Sequence, residues 1–204
     1  MEHSEKYDSN TPLEYQSEQG RLNILGFWVF LGAEVALFST LFGTYLVLMH
    51  RNAGGPMLTD LFELKGVLIE TFLLLASSFT CGLAIHEMRR NNQKGLVVWM
   101  IITLLLGLGF LGFEIDEFIS YVGEGASLQT SAALSGFFVL VGTHGLHVTM
   151  GVGWIICILI QVASRGLTPV TTRKLFISSL YWHFLDFVWI FIFTAVYLTG
   201  WVMM

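Results

Sequence analysis

The sequence predicts an all-α integral membrane protein of five transmembrane helices, and three observations predict it. Hydrophobic residues make up 54% of the 204-residue chain and charged residues only 12%, whereas soluble domains carry about 25% charged residues. Such a chain, with a mean hydropathy of +0.69, lacks the polar surface to cover itself in water and needs lipid as solvent. Five apolar stretches each reach the ~20 residues that cross a bilayer. The short segments between them alternate in Lys and Arg content, as the connections of a multi-pass protein do. At this length a single domain is expected.

Residues 1–22 form a polar amino-terminal tail. Its first twenty positions hold five acids against one lysine and no apolar run. The segment is therefore neither a signal nor a transit peptide, and has little to fold around. Residues 23–204 make up the transmembrane domain, with spans at 23–49, 66–88, 95–122, 132–164 and 175–202. The fourth is longer than a bilayer needs and is expected to tilt or project. The connections hold the breakers Gly54-Gly55-Pro56, Gly123 to Gly125 and Thr168-Pro169, and no span contains a proline.

Basic residues set the expected orientation. Lys6 and Arg21, then Arg89, Arg90 and Lys94, then Arg165, Arg173 and Lys174 put eight on one side, against Arg51 and Lys65 on the other. The amino terminus is then cytoplasmic and the carboxyl terminus outside. Trp99, Tyr121, Tyr181, Trp182 and Trp201 lie near span ends and fit interfacial belts, with plain core packing the alternative for about half of them. Cys81 and Cys157 fall inside spans with no second cysteine nearby. That spacing excludes a CxxC motif and predicts buried thiols that pack as small hydrophobes.

The informative feature is a set of ionisable residues inside the spans. Glu34 lies in the first, Glu70 in the second, Glu114, Asp116 and Glu117 in the third, His144 and His147 in the fourth, and His183 and Asp186 in the fifth. An ionised acid at a helix centre costs about 2.5–3.5 kcal/mol even on a lenient insertion scale, so these groups should face protein or water and pair. His144/His147, His183/Asp186 and Glu114/Glu117 are spaced i,i+3, and each pair shares a helix face. Depth counting at 1.5 Å per residue puts Glu34, His147, His183 and Asp186 at similar levels, roughly 12–17 Å above the cytoplasmic ends. The expectation is one cluster of those four groups and a second joining Glu114 to His144. Glu70 is about one turn inside its span, shallow enough to snorkel, touch a lipid headgroup or be protonated by desolvation. Spacing alone leaves open a structural network, a proton relay, or metal or haem ligation. Small residues (Ser39 and Gly43; Gly107, Gly109 and Gly112; Gly142, Gly145, Gly151 and Gly153) mark expected sites of close helix approach.

At these residues the chain resembles a known family. VGTHGLHVTMG at 141–151 and YWHFLDFVWIFIFTAVYLTG at 181–200 are similar to the signatures of subunit three of the haem-copper respiratory oxidases. GFWVFLGAEVALFSTLFGTY at 26–45 resembles that family's first shared helix, with Glu34 at its acidic position. The resemblance covers essentially everything after residue 22. Five helices rather than seven, and FELKGVLIETFLLLASS at 62–78 after Gly-Gly-Pro, look like the bacterial quinol oxidase branch, with Glu70 at its buried helix carboxylate. The first two helices of the seven-helix pattern are missing, so roles assigned to them do not carry over.

The resemblance implies a non-redox accessory subunit that binds neither haem nor copper, those cofactors belonging to the catalytic subunit. Its helices would form two groups, the first two and the last three, around a V-shaped cleft holding phospholipid. Its partners would be catalytic subunit 1, subunit 2 and a small subunit 4, with membrane phospholipids and no nucleic acid. It would support assembly, proton uptake and lasting activity of an oxidase that oxidises quinol, reduces dioxygen to water and translocates protons across a bacterial cell membrane. By the same token Glu34, Glu70, Glu114, His144, His147, His183 and Asp186 are structural, lipid-facing or proton-uptake residues, with none catalytic. The alternatives are subunit three of a cytochrome c oxidase, a small proton-coupled transporter, and a self-contained haem protein. An odd number of spans and prolines (Pro12, Pro56, Pro169) confined to the connections argue against a transporter built on inverted repeats and broken helices.

Overall fold

The computed structural model describes residues 12–15, 18–51 and 64–199. Most of the polar tail, the Gly54-Gly55-Pro56 breaker, Trp201 and the end of the fifth predicted span lie outside the described residues. Within them are five helices long and apolar enough to cross a membrane, and no strand. They are α1 (Glu18–Leu48), α2 (Leu64–Arg89), α3 (Gln93–Gly123), α4 (Ala132–Arg165) and α5 (Pro169–Ile192), the last continuing as a π-helical stretch, Phe193–Leu198. A 3₁₀ turn, Leu13–Tyr15, precedes α1. Outward-facing Val29, Phe72 and Phe79 are 68–72% exposed, which suits a surface whose solvent is lipid.

Two helices begin more than a turn earlier than the apolar pattern predicted, α1 at Glu18 and α5 at Pro169. Apolarity marks where lipid begins, whereas a helix begins where its amide groups find caps. At α5 the Thr168 hydroxyl accepts from the Thr171 amide, Thr171 returns the bond to the Thr168 amide, and Pro169 takes the first turn, where its missing N–H costs nothing. Thr168→Ala should cost about 1 kcal/mol, seen as faster amide hydrogen exchange over the first turn of α5. The tail is also tied down at one point. Glu14 is buried and meets Arg89 at 3.1 Å, and Tyr15 sits edge-on to Phe176.

In the packing, α2, α3, α4 and α5 close a ring, and α1 lies outside it against α4 and α5. In its most apolar stretch α5 is 56% buried and α1 only 17%, so α5 is the central helix and α1 the peripheral one. The expected grouping of the first two helices against the last three is therefore corrected. A seam of hydroxyls ties α2 to α3 and α5. Thr80 bonds Thr103 at 2.8 Å, Trp182 Nε1 donates to Ser77 at 2.9 Å, Ser78 meets His183 Nδ1 at 2.6 Å, and Trp189 Nε1 donates to Thr71 at 3.1 Å. Each such bond averages only about 0.6 kcal/mol in a membrane protein, but all four pull α2 away from α1.

The aromatic belts need a similar correction. Tyr121, Tyr181 and Trp182 are core residues at 5% exposure or less, each with its polar tip bonded inside the protein. Cys81 is buried as expected, but Cys157 is exposed on the outside of α4. Among the small residues, Gly107 and Gly151 press against the two sides of the Trp182 ring, and Gly136 packs on the backbone of Tyr45. Gly43, Gly112 and Gly153 have nothing within 4 Å of a would-be Cβ among the described residues, so their small size serves no contact there.

Candidate functional site

One ionisable pair joins α1 to α4. Glu34 Oε2 lies 3.1 Å from His147 Nε2, and both side chains are largely buried, at 13% and 10% exposure. His147 Nδ1 is 2.7 Å from the carbonyl of Thr143. A carbonyl oxygen only accepts, so Nδ1 carries a hydrogen, and Nε2 and the Glu34 carboxyl share one more proton between them. The pair is either carboxylic acid with neutral imidazole or carboxylate with imidazolium, and both forms hold α1 to α4. Phe38 edges onto the imidazole at 5.2 Å, and the Tyr181 hydroxyl donates to the His147 carbonyl at 3.3 Å.

His183 and Asp186 do not join this pair, so the expected four-residue cluster is split. Both sit on the face of α5 toward α2, one turn apart, while His147 faces α1. His183 is exposed at the bundle surface, with Nδ1 on Ser78. Asp186 is 5% exposed, and neither carboxyl oxygen has a hydrogen bond of good geometry, although Ser78 is close enough to act on it. Depth arithmetic placed these residues at one level; only helix rotation decides which neighbour each one faces.

The second expected pair is likewise not bonded. Glu114 is buried against α4, its carboxyl filling the space that a Cβ on Gly145 would occupy, with both oxygens 2.6 Å from that point. His144 is fully buried, with Nε2 on the Leu185 carbonyl at 3.2 Å and its ring among Phe110 and Trp189. Glu114 Oε1 and His144 Nδ1 are both buried without a hydrogen bond. Glu114 packs on Gly145, the residue after His144, yet no hydrogen bond joins the two side chains.

The end of the bundle opposite the amino terminus holds a second polar assembly. Glu117 accepts hydrogen bonds from Tyr121, one turn on, and from Tyr197 at 3.1 Å. The π-helical turn at the end of α5 lets both Val196 and Tyr197 face inward, which brings that hydroxyl to α3. Glu70 on α2 is 1% exposed, with Oε2 unbonded, and it borders a cavity of about 340 Å³ shared with Asp116, Glu117 and Glu124. Among the described residues no group of three or more His, Cys, Asp and Glu is close enough to hold a metal ion.

Sequence reasoning missed the hydroxyls of α2 and the two tyrosines on Glu117. Within ETFLLLASSFT, Thr71 and Ser78 are seven apart on one face of α2 and Ser77 and Thr80 three apart on another, polar positions legible in principle. The spacing of Glu117 to Tyr121, i,i+4, was equally readable. The contact of Tyr197 was not, because it depends on a change of helical type.

The sequence model of the family described as cytochrome c oxidase subunit III matches residues 16–201. The chain is 70% identical over 200 residues to a Bacillus spizizenii protein named quinol oxidase subunit 3, covering 98% of each chain. A Bacillus subtilis protein of the same name is 68% identical over 200 residues, again 98% of each. A Staphylococcus saprophyticus protein named probable quinol oxidase subunit 3 is 59% identical over 195 residues, 95% of this chain and 96% of that one. This multi-pass membrane chain belongs to the cytochrome c oxidase subunit III family.

Proposed function

We propose that the chain is the third, non-redox subunit of a bacterial haem-copper quinol oxidase, seated against a catalytic subunit that oxidises quinol and reduces dioxygen to water. The observation that carries this reading is 70% identity across 98% of the chain to a protein named quinol oxidase subunit 3. The interior is consistent with it. His147 is engaged at both ring nitrogens, and His144 and His183 each at one, by groups of the protein itself. Haem and copper belong in this reading to the catalytic subunit, with subunit 2, a small subunit 4 and phospholipid completing the assembly. Glu34 with His147 locks α1 onto the bundle, and the exposed apolar faces supply the contacts with neighbouring subunits and lipid. The amino terminus is cytoplasmic and the carboxyl terminus outside. The buried carboxylates support proton uptake by the complex through this fixed scaffold.

Affinity purification through this chain in mild detergent should recover a larger haem-bearing polypeptide together with quinol oxidation. Recovery of the chain alone, with quinol oxidation intact in cells lacking it, would overturn the assignment. In the purified complex, Asp186→Ala should lower the yield of assembled oxidase and leave its haem spectrum unchanged. A shifted Soret band would place Asp186 nearer the redox centres than this reading allows. A second reading, subunit three of a cytochrome c oxidase, has the family's description on its side. Turnover of the purified complex with reduced cytochrome c but not with quinol would favour it.

A further inference from the structure

We propose that the slot between α1 and α2, floored by α5, seats a transmembrane helix of a neighbouring oxidase subunit that carries a hydroxyl or amide side chain at mid-membrane. Naming the occupant as an oxidase subunit rests on the reading above, whereas the slot itself does not. Both α1 and α2 pack on α5, yet among the described residues they scarcely touch each other. Between them α5 stays uncovered along one line, through His183, Phe187, Phe191 and Thr194, at helical intervals that keep to one face. The line covers about 16 Å of helix. On the α1 side it opens into a cavity of about 260 Å³ lined by Phe38, Ser39 and Phe42 together with Phe184, Phe187 and Phe191.

His183 dictates what the occupant brings. It lies at the middle of the 30-residue span Pro169–Leu198, roughly 15 Å from the headgroups on either side of a hydrocarbon core about 30 Å thick. Its ring is exposed at the bundle surface, with Nδ1 on Ser78 of α2 at 2.6 Å and no described residue bonded to Nε2. A histidine within a span ordinarily faces protein or water, because hydrocarbon offers its ring nothing. Phospholipid headgroups are too far away, and acyl chains neither donate nor accept. Nε2 is a donor if Ser78 donates to Nδ1, and an acceptor if Nδ1 donates to Ser78. A hydroxyl or an amide answers both cases, so the requirement holds for either tautomer.

Shape selects a helix over a small ligand. The uncovered line runs for about three turns, whereas a quinone ring covers about one. The walls also carry small residues with no use among the described residues. Gly82 follows Ser78 by one turn on α2, and Gly43 follows Ser39 by one turn on α1. Both are exposed, with nothing within 4 Å of a would-be Cβ. Gly82 lies a turn to one side of the His183 level, which Ser78 marks, and Gly43 lies to the other side, where Phe42 meets Phe191. A helix crossing the slot obliquely can approach the backbone of α2 at one glycine and of α1 at the other, the close contact by which helices associate in lipid.

The test uses the full-length chain in its native membrane. Phe187 is replaced by the photocrosslinker p-benzoylphenylalanine, cells are illuminated, and the joined peptides are read by mass spectrometry after purification in mild detergent. Attachment should fall on a transmembrane segment of another oxidase subunit, within about one turn of a Ser, Thr, Asn or Gln. Gly82→Leu, exposed and unopposed and so safe for folding, should abolish the crosslink and leave the thermal stability of the chain unchanged. His183→Leu should lower the crosslink yield about threefold, the worth of one interhelical hydrogen bond in a membrane. His183→Gln, which keeps a donor and an acceptor, should restore most of it. Attachment to phospholipid, to a quinone, to a second copy of this chain, or to a segment without such a side chain would overturn the proposal, as would a crosslink indifferent to Gly82→Leu. Attachment to lipid in a preparation that retains haem and quinol oxidation would sink this inference and leave the oxidase assignment standing. Attachment to a polypeptide outside any oxidase would overturn the assignment, and the occupant named here with it.

Discussion

Glu34→Ala should destabilise the attachment of α1 by about 3 kcal/mol, the low end of the range for breaking a buried ion pair. The low end applies because each side chain keeps about a tenth of its exposure, at 13% and 10%. The loss is large because His147 would retain Nδ1 on the Thr143 carbonyl with nothing opposite Nε2. His147→Ala should cost a similar amount by stranding the carboxyl group. The double variant should cost clearly less than the sum, since the second substitution removes a group already unpaired. Glu34→Gln is the discriminating substitution. Its amide can donate to a neutral Nε2, so the helix contact survives and only the shared proton disappears. Denaturation of the purified protein, with proteolysis at the α1–α2 connection as a reporter of α1 release, checks all four variants. An alanine variant as stable as the parent, or a glutamine variant as weak as the alanine one, would show that the pair does not hold α1.

Gly107→Ala should be strongly damaging for a single added methyl group. A Cβ there would lie 2.7 Å from Cη2 and 2.8 Å from Cζ2 of Trp182, closer than carbon atoms approach. Retreat of the ring is limited, because Nε1 is held on Ser77 and its other edge lies so close over Gly151 that a Cβ there would be only 3.1 Å away. Overpacking of this kind costs about 1–3 kcal/mol, against the ~1 kcal/mol by which alanine is the better helix former. Trp182→Phe should restore much of the loss in the Gly107→Ala background by opening space, although alone it leaves Ser77 without its donor. Gly153→Ala, with nothing within 4 Å, is the control and should be neutral or stabilising. Equal effects of the two glycine substitutions on detergent stability would refute the wedge.

The number of helices and the residues that would carry polar contacts were legible because lipid imposes a simple rule. Twenty apolar residues span, and an ionisable group among them needs a partner. The HGLHV and WHFLD segments and Glu34 were readable for the same reason. Pairing was only half legible. Glu34 with His147 followed from depth, since both lie mid-membrane on helices of known direction. The same arithmetic placed His183 and Asp186 at that level and failed, because depth is one coordinate and rotation about the helix axis is another. Nothing in the spacing of α5 said that its polar face would turn to Ser78 of α2 rather than to His147 of α4.

By itself the sequence determined an all-helical chain in lipid, five crossings, and an interior furnished with carboxylates and imidazoles. Those properties come from composition and one-dimensional periodicity, which act residue by residue along each helix. Only the tertiary structure decided that α5 is the hub, that α1 is peripheral, that Trp182 is a wedge between two glycines, and that Glu70 borders a cavity with Asp116 and Glu124. Each of those depends on which faces meet when five helices of nearly uniform apolarity pack together. Where lipid and protein interior are equally apolar, that choice falls to hydroxyls, small residues and ring shapes rather than to hydrophobicity.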